Sequence, residues 1–262
     1  MNQSVLFYTP ADIVTSGRVI AIMRHGQRED YVNTTWGITA SRPQDPCLSE
    51  EGKKEIRLVA EDILQELEQE GIHTNEVVIL ASPLVRTVQS AEIVAETLKI
   101  PGSICLEPCI IEESSYIGVG YGHFSANKVP FPIFLSPKEL SQTYGNINQS
   151  YVPFYVPIFY QDDSNLNGIQ EMDPQGGDER DSEVLIQRRC QNFIDNYVLN
   201  PASVLGKYRA IIIIGHGSSV SACAQHLTQE SQWVGCPPTG SWSLFLERLG
   251  WRSKQNEWHK PY

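Results

Sequence analysis

The sequence predicts an α/β fold, a three-layer sandwich in which a mostly parallel central sheet is flanked by helices. Two features of the chain carry this prediction. Short apolar runs recur along the sequence, and each run ends abruptly at a polar turn, as buried parallel strands do. Amphipathic helical patterns separate the runs, and a strand, a crossover helix and a second strand form the βαβ unit of a parallel sheet.

The first strand is predicted at residues 17–23, where the sequence Gly-Arg-Val-Ile-Ala-Ile-Met stops at Arg-His-Gly. The first long helix is predicted at 49–70 because Ser49 is a suitable N-cap, two glutamates follow it, and Gly71 marks the end. Apolar residues fall on one face of this helix. The second strand is predicted at 76–81, another short and continuously apolar run.

A second long helix is predicted to open at Ser82-Pro83, with serine as N-cap and proline at the first helical position, and to run through residue 98. A short third strand is predicted at 103–107. The strongest strand signal lies at 208–215, where four consecutive isoleucines precede Gly-His-Gly-Ser-Ser.

After that strand, Ser218 is predicted to cap a helix that ends near residue 227, and residues 241–249 alternate like an edge strand. The pattern fails between about residues 112 and 180, where prolines and tyrosines are frequent, before a helix at 181–196. We therefore expect one domain over residues 1–262, with a core at about 18–249 and a substrate-covering insertion at about 112–180.

Composition excludes several classes of function. The chain has 262 residues, 41% of them hydrophobic, and a formal net charge of −11, which gives nucleic-acid binding little support. No apolar run approaches the length of a membrane helix. The N-terminus lacks the basic start and apolar core of a signal peptide, so we expect a cytoplasmic protein with reduced cysteines. The six cysteines have no metal-ligand spacing, and no metal or cofactor is expected.

Four residues whose side chains could take part in catalysis follow the predicted strands. Arg24 and His25 come directly after the first strand, Arg86 lies in the first turn of the helix after the second, and His216 follows the late strand. Because the carboxyl ends of parallel strands meet at one edge of a sheet, these residues are expected to converge there. Arg28 adds a further cation. Guanidinium forks and helix N-termini suit a phosphate group.

This set of residues favours phosphoryl transfer through a histidine. His25 could attack phosphorus and form a phosphohistidine that water then hydrolyses, while Arg24, Arg28 and Arg86 hold the phosphate oxygens and His216 donates to the transferred group. The leaving group requires a proton donor as well.

The three motifs resemble those of the histidine phosphatase superfamily, also called phosphoglycerate-mutase-like. They are Met-Arg-His-Gly at 23–26, Ala-Ser-Pro-Leu-Val-Arg-Thr-Val-Gln-Ser-Ala at 81–91, and Gly-His-Gly-Ser-Ser at 215–219. The resemblance implies that His25 is phosphorylated and that Arg24, Arg86 and His216 hold the phosphoryl group.

Finer features resemble the branch 1 phosphatase modules of the T-cell ubiquitin ligand (Sts) proteins and the ecdysteroid-phosphate phosphatases. These features are Arg28 and the stretch Glu-Pro-Cys-Ile-Ile-Glu at 107–112. The acid-phosphatase branch places an aspartate after its second histidine, whereas this chain has Gly217 there. By this resemblance Glu112 is the candidate proton donor, with Glu113 as the fallback.

The resemblance leads us to expect a metal-independent phosphomonoester hydrolase. Two alternatives remain open, a phosphoglycerate-type mutase and a low-activity module that only binds or scaffolds. The expected partner is a phosphorylated small molecule or a phosphoprotein, without nucleic acid or membrane. A homodimer is one option for the oligomeric state.

Overall fold

A computed structural model describes residues 17–112, 135–154, 183–233 and 235–260. In these residues the strands are β1 (Val19–Arg24), β2 (Val77–Ala81), β3 (Ile104–Leu106), β4 (Ala210–Gly215), β5 (Trp242–Leu246) and β6 (Arg252–Ser253). The helices are α1 (Trp36–Thr39), α2 (Glu50–Gln69), α3 (Val85–Leu98), α4 (Pro137–Leu140), α5 (Glu183–Phe193) and α6 (Gly217–Thr228). A π-helical turn, Ile194–Val198, continues α5.

The six strands form one sheet in the order β3-β2-β4-β1-β5-β6. The pairs β3–β2, β2–β4 and β4–β1 are parallel, whereas β5 runs antiparallel to both β1 and β6. The predicted, mostly parallel sheet is confirmed. The predicted edge strand at 241–249 is wrong in one respect, because β5 is fully buried and β6 covers its outer side.

The sheet has an apolar core on each face. Side chains alternate along β1, so Ala21 and Met23 join the core beneath α2 and α3, while Ile20 and Ile22 join the core beneath α5 and α6. This arrangement is the three-layer sandwich that the alternating strand and helix patterns predict.

Helix α2 begins as its sequence predicts. The hydroxyl of Ser49 accepts a hydrogen bond from the Gly52 N–H at 3.0 Å, which satisfies one of the free donors of the first turn. The helix ends before Gly71, whose φ of +64° needs the conformational freedom of glycine.

The start of α6 differs slightly from its prediction. The N-cap position belongs to His216 rather than Ser218, and the Ser219 hydroxyl accepts from the His216 N–H at 3.0 Å.

The predicted insertion at about 112–180 falls mostly on residues 113–134 and 155–182, which lie outside the described residues. One domain over residues 1–262 with a core at about 18–249 therefore stays a prediction. In the described part of the chain, no helix is long and apolar enough to cross a membrane.

Candidate active site

The parallel strands bring the predicted residues to one edge of the sheet. Arg24 at the end of β1 is aligned with Gly215 at the end of β4, and the backbone pairing continues beyond the strands. The His25 N–H donates to the Gly215 carbonyl at 3.1 Å, and the Ser82 N–H donates to the Ile214 carbonyl at 3.1 Å. The three turns that follow β1, β2 and β4 are therefore held together by hydrogen bonds rather than by side chains alone.

His25 is fully buried, and its hydrogen bond identifies the free ring nitrogen. Nδ1 lies 2.8 Å from the Gly26 carbonyl oxygen, which can only accept, so Nδ1 carries the proton. Nε2 then has a lone pair, and it makes no hydrogen bond in the described structure. Burial and nearby guanidinium groups hold the pKa of His25 well below its usual 6.5, which keeps the ring neutral and nucleophilic.

Close backbone packing fixes the turn after His25. A Cβ atom on Gly26 would lie 2.5 Å from the Gly52 carbonyl oxygen, and one on Gly52 would lie 2.2 Å from the Gln27 oxygen. Only glycines allow the first turn of α2 to approach this closely, so the motif glycine has a packing role as well.

Arg86 projects from the first turn of α3 and is 1% exposed. Its Nε and Nη1 atoms make no hydrogen bond to the described residues. Burial, reinforced by Arg28, lowers its pKa from 12.5 to about 10, against the opposing attraction of Glu112 and Asp45. A buried cation with unused donors is costly, and it fits an anion that brings several acceptor oxygens.

Arg24 and Arg28 have different hydrogen-bond partners. Arg24 donates through Nη1 to the Pro237 carbonyl at 2.6 Å and to Cys236 Sγ at 3.0 Å, while its buried Nε has no described partner. Arg28 binds both carboxylate oxygens of Asp30, with Nε–Oδ1 at 2.9 Å and Nη2–Oδ2 at 2.6 Å. Its charge still lowers the pKa of Arg86 and of both buried histidines.

His216 completes the cluster. Its ring centroid lies 5.3 Å from that of His25, with the two rings tilted by 60°. Nε2 lies 2.8 Å from the Ser82 hydroxyl, and Nδ1 has no hydrogen-bond partner in the described part of the chain. Burial and the surrounding charges lower the pKa of His216 well below 6.5, so this ring is neutral as well.

Glu112 reaches the site on the loop that follows β3. Its Oε2 lies 3.8 Å from His216 Nδ1, and the residue is 7% exposed. Buried Arg189 on α5 secures this loop, since Nε donates to the Cys109 carbonyl at 2.8 Å and Nη2 to the Ile111 carbonyl at 3.0 Å. Glu113, the predicted fallback donor, lies outside the described residues.

Asp45 replaces Ser82 at the start of α3, which corrects the sequence prediction. The helix begins at Val85, two residues after Pro83, and the Asp45 carboxylate accepts from the Val85 N–H at 2.8 Å. Asp45 is also buried 3.9 Å from Arg86 Nη1, and burial raises its pKa to about 6.

Sequence reasoning missed two supporting residues, Asp45 and Arg189, and it missed the contact of Ser82 with His216. Asp45 and Arg189 come from remote segments, and no local pattern marks them. Ser82 carried a signal, because its motif lies at a strand end, but the Ser-Pro pair has the form of a helix cap.

Three guanidinium groups and two neutral imidazoles lie at the site, with the carboxyl groups of Asp30, Asp45 and Glu112 beside them. Such an arrangement can bind a tetrahedral oxyanion, offer it a nucleophile, and supply an acid or base beside it. The described residues contain no group of three or more His, Cys, Asp or Glu side chains placed to hold a metal ion.

Comparisons with known proteins agree with this geometry. The model of the histidine phosphatase superfamily (branch 1) matches residues 20–112, a stretch that includes the first two motifs and Glu112. No curated protein matches the chain.

Solved structures that match most of the chain share little sequence with it. The ecdysone phosphate phosphatase from Bombix mori, in complex with tungstate, has a TM-score of 0.58 and 15% identity over 90% of this chain and 91% of its own. A mycobacterial glucosyl-3-phosphoglycerate phosphatase with inorganic phosphate has a TM-score of 0.47 and 17% identity, covering 92% and 94% of the two chains. A phosphoserine phosphatase mutant from Entamoeba histolytica, in complex with phosphoserine, has a TM-score of 0.47 and 16% identity, covering 93% of this chain and 97% of its own.

The fold shared with the Bombix mori protein agrees with the sandwich described above. The resemblance that the motifs predict is confirmed by this match, in which residues 20–112 fit the model of the histidine phosphatase superfamily (branch 1).

Proposed function

We propose that this chain hydrolyses phosphomonoesters through a phosphohistidine formed at Nε2 of His25, without a metal ion. The main support for this proposal is the state of His25. Its ring is buried and neutral, its Nδ1–H donates a hydrogen bond to the Gly26 carbonyl, and its Nε2 lone pair has no described partner. The unused donors of Arg86 lie in the same cluster and would neutralise the phosphoryl oxygens.

The reaction would proceed in two displacements at phosphorus. In the first, Nε2 of His25 forms a bond to phosphorus as the bond to the leaving oxygen breaks, and Glu112 supplies the proton to that oxygen. In the second, water attacks phosphorus, the P–N bond breaks, and the Glu112 carboxylate takes a proton from the water. The products are an alcohol and inorganic phosphate, and His25 returns to its neutral form.

The substrate would be a phosphorylated small molecule or a phosphoprotein. The fold shared with a phosphatase that acts on ecdysone phosphate supports phosphomonoesters as a class. The cationic groups of this site would bind the phosphate and leave the rest of the substrate to residues around it. The mutase and binding-module alternatives would use the same phosphate site.

Trapping the intermediate tests the proposal. The wild-type protein should hydrolyse p-nitrophenyl phosphate with undiminished activity in EDTA and should give an acid-labile phosphoenzyme when quenched rapidly with a radiolabelled substrate. His25→Ala should lose turnover by several orders of magnitude and form no phosphoenzyme. His226→Ala is the matched control, because that histidine pairs with Asp195 at 2.8 Å, outside the cluster of site residues.

Near-normal activity in His25→Ala would overturn the phosphohistidine mechanism. Interconversion of 3-phosphoglycerate and 2-phosphoglycerate faster than release of phosphate would instead favour the mutase. Tight binding of tungstate without turnover of any phosphomonoester in a panel would favour the binding module.

A further inference from the structure

The turn between β2 and α3 places a buried hydroxyl against His216. Ser82 is held from both sides, because its N–H donates to the Ile214 carbonyl at 3.1 Å and its own carbonyl accepts from Thr87 Oγ1 at 2.7 Å. Its Oγ lies 2.8 Å from His216 Nε2, and both residues are completely buried. The two backbone hydrogen bonds fix the main chain of Ser82 relative to β4 and the first turn of α3.

The direction of the hydrogen bond between Ser82 and His216 follows from hydrogen-bond satisfaction. A neutral imidazole has one N–H and one lone pair. If Nε2 carried the proton, it would donate to Oγ and the Ser82 O–H would need a second acceptor, which the described residues do not provide. Leaving a buried hydroxyl hydrogen unpaired costs about 1–3 kcal/mol. Either tautomer leaves one hydrogen without a partner among the described residues, the Ser82 O–H or the Nδ1–H. Only the Nδ1–H has a carboxylate oxygen near it, so the favoured arrangement has Ser82 donating, Nε2 accepting and the ring proton on Nδ1.

The Nδ1 atom is the one that faces the rest of the site. It has no described hydrogen-bond partner, and Glu112 Oε2 lies 3.8 Å away. With its proton, this nitrogen attracts both a carboxylate and a phosphoryl oxygen. The other tautomer would direct a lone pair at these anionic groups and repel them.

We propose that Ser82 is a positioning residue that holds His216 as the Nδ1–H tautomer, so that the neutral ring donates a hydrogen bond to the phosphoryl group transferred to His25. The inference rests on the proposed function. Holding the correct histidine tautomer has a large effect on rate in other enzymes, where the wrong tautomer lowers kcat by up to about 10⁴. Ser82→Ala removes the preference for the Nδ1–H tautomer of His216 but does not impose the other tautomer. We therefore expect kcat to fall about 10- to 100-fold with KM changed by less than about threefold.

Nitrogen NMR reads the tautomer directly. In protein labelled with ¹⁵N-histidine, long-range ¹H–¹⁵N spectra separate protonated from unprotonated ring nitrogens, and His216→Gln assigns the signals of His216. The wild type should show protonated Nδ1 and unprotonated Nε2 at His216. Ser82→Ala should show a mixture of tautomers or the reverse. His25 is the internal control, because its Nδ1–H donates to the Gly26 carbonyl and its signals should not change.

Ser82→Thr keeps the hydroxyl and should retain the wild-type tautomer and more activity than Ser82→Ala, which separates loss of the hydrogen bond from general damage to the fold. Protonated Nε2 at His216 in the wild type would overturn the inference, and so would wild-type spectra and kcat in Ser82→Ala. Failure of the proposed function has a different signature, namely absence of a phosphoenzyme in the wild type, because the spectra report the Ser82–His216 pair without turnover.

Discussion

Replacing Arg86 with methionine should stabilise the protein while removing its function. The pKa of Arg86 falls from 12.5 to about 10 mainly because the side chain is buried. At about 1.4 kcal/mol per pH unit, this difference corresponds to ~3 kcal/mol of free energy that the charged guanidinium loses in the folded protein. Because the folded-state pKa is the lower one, this cost applies in full below about pH 10 and diminishes as the pH rises from there towards 12.5.

Methionine avoids the charge but not every cost of the substitution. It is shorter than arginine, so a small cavity offsets part of the gain. Asp45 also loses a cation that lies 3.9 Å from its carboxylate. We therefore expect Arg86→Met to raise the free energy of unfolding by about 1–2 kcal/mol when no phosphate is present.

Phosphate should reverse the order of stability. A ligand that binds only the folded protein stabilises it by about 2.7 kcal/mol at a hundred times its Kd. The wild type should gain this stabilisation, whereas Arg86→Met, which lacks the buried guanidinium donors, should gain almost none. Urea unfolding followed by tryptophan fluorescence, with and without saturating phosphate, measures both effects.

Arg209→Met is the matched control. Arg209 precedes β4, near the opposite end of that strand from His216, and its side chain, 28% exposed, pairs with Glu76 at 3.3 Å. This variant should lose at most about 1 kcal/mol of stability and respond to phosphate like the wild type. If Arg86→Met were less stable than the wild type without phosphate and gained as much from phosphate, the assignment of Arg86 to the anion site would be refuted.

Three further predictions concern Glu112, Asp45 and the two histidines. Glu112→Gln should lower kcat strongly for alkyl phosphates and least for p-nitrophenyl phosphate, whose leaving group scarcely needs a proton; an equal loss for both would show that Glu112 is not the acid. Asp45→Ala should lower the free energy of unfolding by about 1 kcal/mol more than Asp45→Asn, which keeps an acceptor for the Val85 N–H, and equal losses in urea unfolding would argue against the cap. His25 and His216 remain neutral in the folded protein at pH values below 6.5, their usual pKa, so each ring takes up a proton when the protein unfolds. The free energy of unfolding should therefore fall as the pH drops, by up to about 1.4 kcal/mol per pH unit for each ring. A free energy of unfolding that stays constant between pH 6.5 and 5.5 would contradict the lowered pKa values.

Much of the fold could be read from the sequence because strands and helices of this kind have local signatures. The run of isoleucines in β4 and the capped, one-sided apolar pattern of α2 indicate their elements without reference to distant residues. The convergence of Arg24, Arg86 and His216 followed from one general property, that the carboxyl ends of parallel strands share an edge.

Helix starts were less predictable, because a cap is defined by whichever acceptor reaches the free N–H groups. Ser82 has the residue type and the following proline of an N-cap, but the carboxylate of Asp45 reaches the first turn of α3 from a loop 40 residues away. With that role filled, the Ser82 hydroxyl is available to His216. No local pattern distinguishes these two outcomes.

Residue type and position at a strand end are local properties, so the amino-acid sequence is enough to identify the side chains that could do chemistry here. Their ionisation and tautomers depend on contacts made in the folded protein. The pKa values of His25 and His216 fall because both rings are buried among guanidinium groups from separate segments, and the free nitrogen of each ring depends on which neighbour the other nitrogen meets. Burial and hydrogen-bond direction arise between segments far apart in the chain, and they determine which of these residues can act as a nucleophile and which as a donor.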